Sequence, residues 1–255
     1  MSLGFWVKTS GTWINIFTVA IGTSLGLILE NRLSGKMQTI ITQGIGLITI
    51  WIGINMANSM GKSAAAGVDG AVLGLIAMVL GGILGEWLQI EEKLTGLGDF
   101  LKHKLRGKGA FTEGFVASSL LFCVGPMTLI GCLNNGLNGD NTLLTLKATM
   151  DGIVSIALAN IYGVGVGFSI LVLLFYQGGL SLIAAIVADF IPDPANNSYI
   201  FIITGVGGLM IMAIGFNLLE VIKVRVASFL PAIAIAPLVY YLACVLEYFF
   251  QLSSS

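Results

Sequence analysis

The chain carries the stretch SYIFIITGVGGLMIMAIGFNLL at residues Ser198–Leu219. No charged side chain interrupts it, and it exceeds the length of about 20 apolar residues that an α-helix needs to cross roughly 30 Å of hydrocarbon. Inside a bilayer no water is available to pair backbone N–H and C=O groups, so a helix, which pairs them internally, is the favoured structure there. The stretch therefore predicts a transmembrane helix.

The composition extends this prediction to the whole chain. Of 255 residues, 56% are hydrophobic and only 10% are charged, whereas a soluble domain carries roughly 25% charged residues. This balance argues against a soluble enzyme and against a disordered chain. The 12 Lys and Arg against 13 Asp and Glu give a net charge of -1, so no basic surface exists to neutralise nucleic-acid phosphates. We expect an all-α, polytopic membrane protein that lies in a lipid bilayer and binds no nucleic acid.

Further apolar stretches predict about eight spans in a single transmembrane domain covering residues 1–255. The stretch Lys147–Asp189 is about twice one span and supplies two of the eight. We divide it near Gly163, Gly165 and Gly167, although these glycines also suit broken or re-entrant elements whose irregular backbone lines a cavity. The other six spans are Thr12–Leu29, Met37–Asn58, Val68–Leu88, Glu113–Leu133, Ser198–Leu219 and Ala227–Phe249.

The Lys and Arg residues indicate the orientation, because short loops that carry them stay on the cytoplasmic side. With eight spans, nine of these residues fall on one side of the membrane and three on the other. A single crossing between Lys147 and Asp189 would reduce the split to seven against five, so the charges favour eight spans with both termini outside. The nine are Arg32, Lys36, Lys93, Lys102, Lys104, Arg106, Lys108, Lys223 and Arg225, and the three are Lys8, Lys62 and Lys147.

Spans two and three resemble spans seven and eight. Ile41–Asn55 aligns without gaps on Ile203–Asn217 with seven of 15 positions identical, and Glu86-Trp87 resembles Glu247-Tyr248 near the ends of the third and eighth spans. Five crossings separate the members of each pair, so the copies enter the membrane from opposite faces, as in many transporters. Glycine-rich apolar helices also look alike by composition alone. We expect repeat one over about 11–90, connecting spans over about 111–163 and repeat two over about 164–250.

Polar side chains inside the spans are candidate ligands, because hydrocarbon makes them costly unless they have a partner or line a path. Asn55 and Asn217 occupy matching positions of the repeat, where they either bind a solute or form hydrogen bonds at helix ends. Asp151 follows Lys147 by four residues on one helical face. Asp151 is either a proton or cation site or a partner of Lys147 in a merely local pair. The ion-binding or substrate-binding candidates are Asn55, Asn217, Asp151, Gln177 and Asn160, and the gating or packing candidates are Gly53, Gly215, Gly163, Gly165 and Gly167.

The sequence offers little to enzymatic chemistry. One histidine, His103, and three cysteines without paired spacing, Cys123, Cys132 and Cys244, assemble neither a metal cluster nor a catalytic triad. We therefore expect no catalytic residue, no metal site and no cofactor. The 34 glycines include stripes at helical spacing, which suit close helix packing within one chain or in a homo-oligomer.

The chain resembles a bacterial membrane family known as domain of unknown function 554, over almost its whole length. Pro126 stands where the family more often has a small residue, a difference that concerns only the local helix shape. The resemblance implies a location in the bacterial cytoplasmic membrane and a role in transport, and it supplies no substrate. It is carried by Gly11-Thr12 with Asn15, Gly22 with Gly26, Gly85-Glu86, Ala117–Gly125, Gly136 with Gly139-Asp140, Lys147 with Asp151-Gly152, Tyr176-Gln177-Gly178 and Ile214-Gly215 with Asn217-Leu218.

These observations favour a transporter of a small ion or polar solute that works by alternating access between inverted repeats. A passive channel of the same build is an alternative, which differs in that its flux never drives uphill movement. A structural or regulatory membrane protein is a third possibility, because few ionisable groups lie within the spans.

Overall fold

A computed structural model describes residues 4–30, 34–104, 107, 109–188 and 197–254. The chain is 87% helical, as the composition predicts. One short hairpin pairs Ala64 with Asp69 and Ala65 with Val68. The helices are α1 (Phe5–Lys8), α2 (Ser10–Glu30), α3 (Gly35–Ala57), α4 (Gly70–Trp87), α5 (Ile90–Lys104), α6 (Phe111–Cys123), α7 (Pro126–Asn138), α8 (Thr142–Tyr162), α9 (Gly165–Ala188), α10 (Ser198–Leu218) and α11 (Leu230–Ser254); the strands are β1 (Ala64–Ala65) and β2 (Val68–Asp69), and short 3-10 helices cover Asn58–Lys62 and Val226–Phe229.

Seven of the described helices are long and apolar enough to cross a membrane, namely α2, α3, α4, α8, α9, α10 and α11. The pair α6 and α7 passes the same test together, with a bend of 61° between them, which raises the number to eight. The prediction of a polytopic helical protein with about eight spans is therefore confirmed.

Two of the breaks between helices, at Gly125 and Gly163, bear on the number of spans. Gly125 separates α6 from α7 with a φ of 153°, a conformation that favours glycine, and Pro126 then occupies the first turn of α7, where a missing N–H costs nothing. Gly163, with a φ of 76°, ends α8. The predicted division of Lys147–Asp189 near Gly163 is confirmed, while the broken span lies at Gly125 and not in this stretch, because α8 and α9 are each unbroken.

The chain divides into two compact units: unit one comprises Met1–Leu47 and Leu94–Pro192, and unit two comprises Ile48–Lys93 and Asp193–Ser255. In unit one, α2 and α8 run parallel and in register. A Cβ atom added to Gly11 would lie 2.5 Å from Leu144 Cδ1, and one on Gly26 would lie 2.8 Å from the Cβ of Ala159. The glycines of α2 therefore let the two helix backbones approach closely.

The bent pair α6 and α7 reaches both ends of unit one. At the start of α6, Gly114 packs against Tyr162 at the end of α8, with 2.5 Å between an added Cβ and the Tyr162 Cβ. At the end of α7, Asn135 donates a hydrogen bond to the Val7 carbonyl at 2.9 Å and accepts one from the Gly11 N–H at 3.0 Å. The pair thus runs from the level of the α8 C-terminus to the level of the α2 N-terminus, as one broken span does.

Unit two consists of antiparallel helix pairs. Gly81 and Gly85 of α4 face Ala232 and Ser228 near the start of α11, so these helices run in opposite directions. The end of α3 meets α10 in the same way. Five alanines form the core together with larger apolar and aromatic side chains: Ala65, Leu73, Ala77, Ile202, Val206, Ala232, Ala236, Tyr240 and Ala243.

Candidate functional site

A buried ion pair lies within α8. Lys147 and Asp151, four residues apart, form a salt bridge from the Lys147 Nζ to the Asp151 Oδ2, as their spacing predicts. The two residues are only 6% and 7% exposed. Lys147 lies within α8, which begins five residues earlier, at Thr142, so the helix extends beyond the predicted start of this span.

Asn15 of α2 connects this pair to α9. Its Nδ2 donates one hydrogen bond to the Asp151 Oδ2 at 2.9 Å and another to the Gln177 Oε1 at 3.0 Å. Asn15 and Gln177 are both fully buried. We call Asn15, Lys147, Asp151 and Gln177 the polar core; it joins one carboxylate, one ammonium and two amides from three helices of unit one.

Glycines allow these three helices to approach. Gly152 follows Asp151, and a Cβ added to it would lie 3.1 Å from the Thr18 Cβ on α2. Gly178 follows Gln177, and its added Cβ would lie 3.7 Å from the Thr12 Cγ2, also on α2. A small residue beside each polar one thus brings α8 and α9 against the same face of α2.

The charge of Asp151 fixes the direction of every hydrogen bond in the polar core. An ionised carboxylate only accepts, so Asn15 must turn its NH₂ group toward it, and Gln177 must then offer its oxygen to that group. The Asn15 Oδ1 and the Gln177 Nε2 are left buried with no partner among the residues that the structure describes, and so is the Thr12 hydroxyl one turn before Asn15. Unpaired buried polar atoms of this kind call for a bound water, ion or solute.

An apolar groove of about 200 Å³ lies beside the polar core, between the start of α2 and α9. Thr12, Trp13, Phe175, Gly178 and Gly179 are among the residues that line it. A Cβ on Gly179 would meet no atom within 4 Å. The glycines therefore leave space next to two residues that adjoin the polar core, Thr12 and Gly178.

Asn160 lies farther along α8. It is 2% exposed, and neither its Oδ1 nor its Nδ2 has a hydrogen-bond partner in the described part of the chain. Nine residues separate it from Asp151, which is about 14 Å along a helix axis. Two buried polar positions thus follow one another along α8, with Ser155 between them donating to the Gly152 carbonyl at 2.8 Å.

Asn55 and Asn217 belong to unit two and form bonds at helix ends. The Asn55 Nδ2 donates to the Trp51 carbonyl of its own helix at 2.8 Å. Asn217 donates to the Val224 carbonyl at 2.8 Å and accepts from the Val224 N–H at 2.7 Å. These bonds favour the helix-end interpretation over the ligand interpretation, which stays a prediction.

The five predicted gating or packing glycines lie at close contacts between helices, at the turn after α8, or buried within a helix. A Cβ on Gly53 would stand 2.7 Å from the Gly208 carbonyl oxygen, and one on Gly167 would stand 3.0 Å from the Thr23 Cγ2. Gly165 packs on the backbone of Phe111, Gly215 is buried, and Gly163 forms the turn after α8. Their contacts are those of close packing and a turn.

Asn15 and Lys147 are the members of the polar core that the set of ligand candidates lacks. The sequence signals of Asn15 are an amide in a mainly apolar span, three residues after Thr12, and its place among the residues that carry the family resemblance. Within the described ranges, no three His, Cys, Asp or Glu side chains are placed to hold a metal ion. Any ion held by the polar core would therefore bind to one carboxylate and to amide oxygens.

The chain is similar to known proteins over most of its length. The family model described as "Protein of unknown function (DUF554)" matches residues 10–241. The "Uncharacterized membrane protein YdfK" of Bacillus subtilis (strain 168) is 30% identical over 232 residues, which cover 91% of this chain and 95% of that protein. The "Uncharacterized protein YqgA" of Escherichia coli (strain K12) is 26% identical over 232 residues, with coverage of 89% and 94%. No solved structure matches significantly.

Proposed function

This chain belongs to the protein family of unknown function DUF554, and we propose that it is a transporter of a small ion or polar solute in the bacterial cytoplasmic membrane. The observation that carries the proposal is the polar core. Its ion pair lies inside the α8 span, where a charged side chain costs roughly 2.5–3.5 kcal/mol at the helix centre on insertion scales. A transport site gives a reason to keep a group of this cost inside a span.

The antiparallel pairs of unit two support alternating access. The α3 and α4 helices carry the sequences that resemble α10 and α11, and α4 runs against α11. Two contacts at opposite ends of this pair are reciprocal. Glu247 at the end of α11 accepts from the Ala66 N–H before α4 at 2.9 Å, and Glu86 at the end of α4 binds Arg225 before α11 at 2.6 Å. Such a relation is what an inverted repeat requires.

An orientation with both termini outside goes with this proposal. The contacts of α6 and α7 at both ends of unit one support a count of eight spans. With eight spans, most of the Lys and Arg residues lie on the cytoplasmic side. Single cysteines at Lys62, Lys104 and Lys223 in a cysteine-free background test it with an impermeant thiol reagent on intact cells. We expect label at position 62 and protection at 104 and 223. Label at 223 together with protection at 104 would contradict the inverted arrangement.

Flux measurements in proteoliposomes test the transport proposal. We would reconstitute the purified chain and follow uptake of Li⁺, Na⁺, K⁺ and ammonium with encapsulated indicators, and of uncharged solutes by light scattering. Wild-type protein should accelerate uptake of at least one solute, and Asp151→Asn should reduce that uptake at least tenfold. Glu113→Gln is the matched control, because Glu113 lies exposed in the first turn of α6.

The same vesicles distinguish transporter, channel and structural protein. A transporter lets a gradient of one solute drive another uphill, whereas a channel only lets each gradient decay. Equal uptake by wild-type and Asp151→Asn protein would show that the polar core does not take part in transport. No uptake of any solute would favour the structural or regulatory alternative.

A further inference from the structure

We infer that the polar core is a binding site for a small monovalent cation. The site forms when the side-chain amide of Asn15 turns, so that its oxygen and its nitrogen exchange places. This deepens the proposed function and rests on it, since it names the substrate class of the same site. The turn would place the Asn15 Oδ1 where its Nδ2 now lies, beside the oxygens of Asp151 and Gln177.

The Asn15 Nδ2 now supplies the positive charge that a bound cation would supply in the turned state. It lies 2.9 Å from a carboxylate oxygen and 3.0 Å from an amide oxygen, and it supplies the positive hydrogens that keep those two oxygens together. The NH₂ group thus stands in for an ion that oxygen ligands would hold. Amide carbonyl oxygens replace the hydration shell of K⁺ in ion channels, and hard cations generally prefer oxygen ligands.

The turn would break no other hydrogen bond. The Asn15 Oδ1 has no partner within the described ranges, so only the two Nδ2 bonds are exchanged for contacts with the cation. The oxygen and nitrogen ends of the amide have nearly the same shape, so the turn of the amide itself requires no movement of the surrounding helices. Without a cation, the turned Asn15 Oδ1 would lie 2.9 Å and 3.0 Å from two other oxygens and would be repelled by both, so the turned state requires the ion.

The charges of the polar core favour a monovalent cation. Lys147 neutralises Asp151, so the polar core has no net charge before an ion enters. A monovalent ion adds one uncompensated charge, whereas a divalent ion adds two, and burial of unpaired charge is costly. The Thr12 hydroxyl, one turn earlier on the same face of α2, supplies a further buried oxygen near the site.

Asn15→Asp is the decisive variant. It presents oxygen in both orientations and adds a negative charge, so the site no longer needs the turn. Asn15→Leu removes the oxygen. Asn58→Asp is the matched control, because Asn58 is exposed in the 3-10 helix after α3.

The measurement is the melting temperature of the full chain in detergent micelles, because a ligand that binds only the folded state raises it with concentration. LiCl, NaCl, KCl and CaCl₂ would be titrated against N-methylglucamine chloride at constant ionic strength. We expect at least one monovalent cation to stabilise the wild-type chain. Asn15→Asp should lower its apparent Kd at least tenfold, Asn15→Leu should abolish the shift, and Asn58→Asp should leave it unchanged.

Three results would overturn the inference: no monovalent shift up to 100 mM in either wild-type or Asn15→Asp protein, an equal or higher Kd in Asn15→Asp, or a larger shift with Ca²⁺. Because Asn15→Asp is expected to gain affinity, its result does not depend on whether Asn15→Leu folds. If Asn15→Asp binds the cation more tightly than the wild-type chain, Asn15→Leu does not bind it, and no flux is found, the inference is supported and the transport proposal is contradicted. Flux of an uncharged solute without cation binding would support the transport proposal and contradict the inference.

Discussion

Unit one and unit two place their polar side chains in opposite locations. In unit one, Asn15, Lys147, Asp151 and Gln177 meet in the interior of the helix packing. In unit two, the interior is built of alanine, isoleucine, valine, leucine and tyrosine, and the charged contacts of Arg225 with Glu86 and Glu92 lie at the exposed end of α4. The difference separates side chains that hold helix ends from polar side chains that are buried within candidate spans.

The physical reason for this distinction is solvent. At helix ends water and headgroups compete for the same hydrogen bonds, so an exposed pair contributes typically 0–1 kcal/mol. Inside the packing no such competitor is present, and a lost partner leaves an unpaired charge. We therefore expect the two units to respond differently to removal of a carboxylate.

The largest effect is expected for Asp151→Leu. It leaves the Lys147 ammonium buried without its partner, which should lower the free energy of unfolding by about 3–5 kcal/mol. The double variant Lys147→Met, Asp151→Leu removes both charges and should recover most of this loss, while transport stays absent. Reversible unfolding in mixed micelles gives the stabilities, and the proteoliposome assay gives the flux. Flux in the double variant would show that the polar core is not the site.

An intermediate effect is expected for Gly26→Ala, which tests the close packing that both units share. The added methyl group would lie 2.8 Å from the Ala159 Cβ, and such overpacking costs about 1–3 kcal/mol. Gly44→Ala on α3 is the control, because its Cβ would meet no atom within 4 Å, and replacing a helical glycine by alanine stabilises by up to about 1 kcal/mol. The same unfolding measurement checks both, and equal effects would contradict the close contact of α2 with α8.

The smallest effect is expected for Glu86→Gln in unit two. It removes one partner of Arg225, which keeps Glu92. Both carboxylates are about half exposed, so the loss should be below about 1 kcal/mol. A loss comparable to that of Asp151→Leu would contradict the contrast between the units.

Local patterns predicted the spans and one ion pair. Each span is a continuous apolar run, so its presence depends on few residues outside it, and Lys147 with Asp151 met because a helix brings residues four apart together. The sequence predicts two spans divided near Gly163, with a broken element there as the alternative, since that stretch holds three closely spaced glycines. The structure breaks the helix at Gly125 instead, where Pro126 follows directly.

The polar core itself could not be predicted from such patterns. Asn15 and Gln177 are separated from each other by 162 residues of sequence, and only the packing of α2 against α8 and α9 brings them together. Asn217 looked equally suitable as a ligand, but its amide bonds to the main chain of Val224, seven residues away. Helix packing, and not residue type, distinguishes the two asparagines.

The parallel pairing of α2 with α8 has a consequence for biosynthesis. The end of α2 at Glu30 is synthesised 132 residues before the end of α8 at Tyr162, which corresponds to roughly 7–26 s at about 5–20 residues per second. Until α8 is complete, α2 lacks this packing partner, and the amide of Asn15 lacks the Asp151 carboxylate. A polar substitution on α2 should therefore lower the yield of inserted chains before it affects the finished protein.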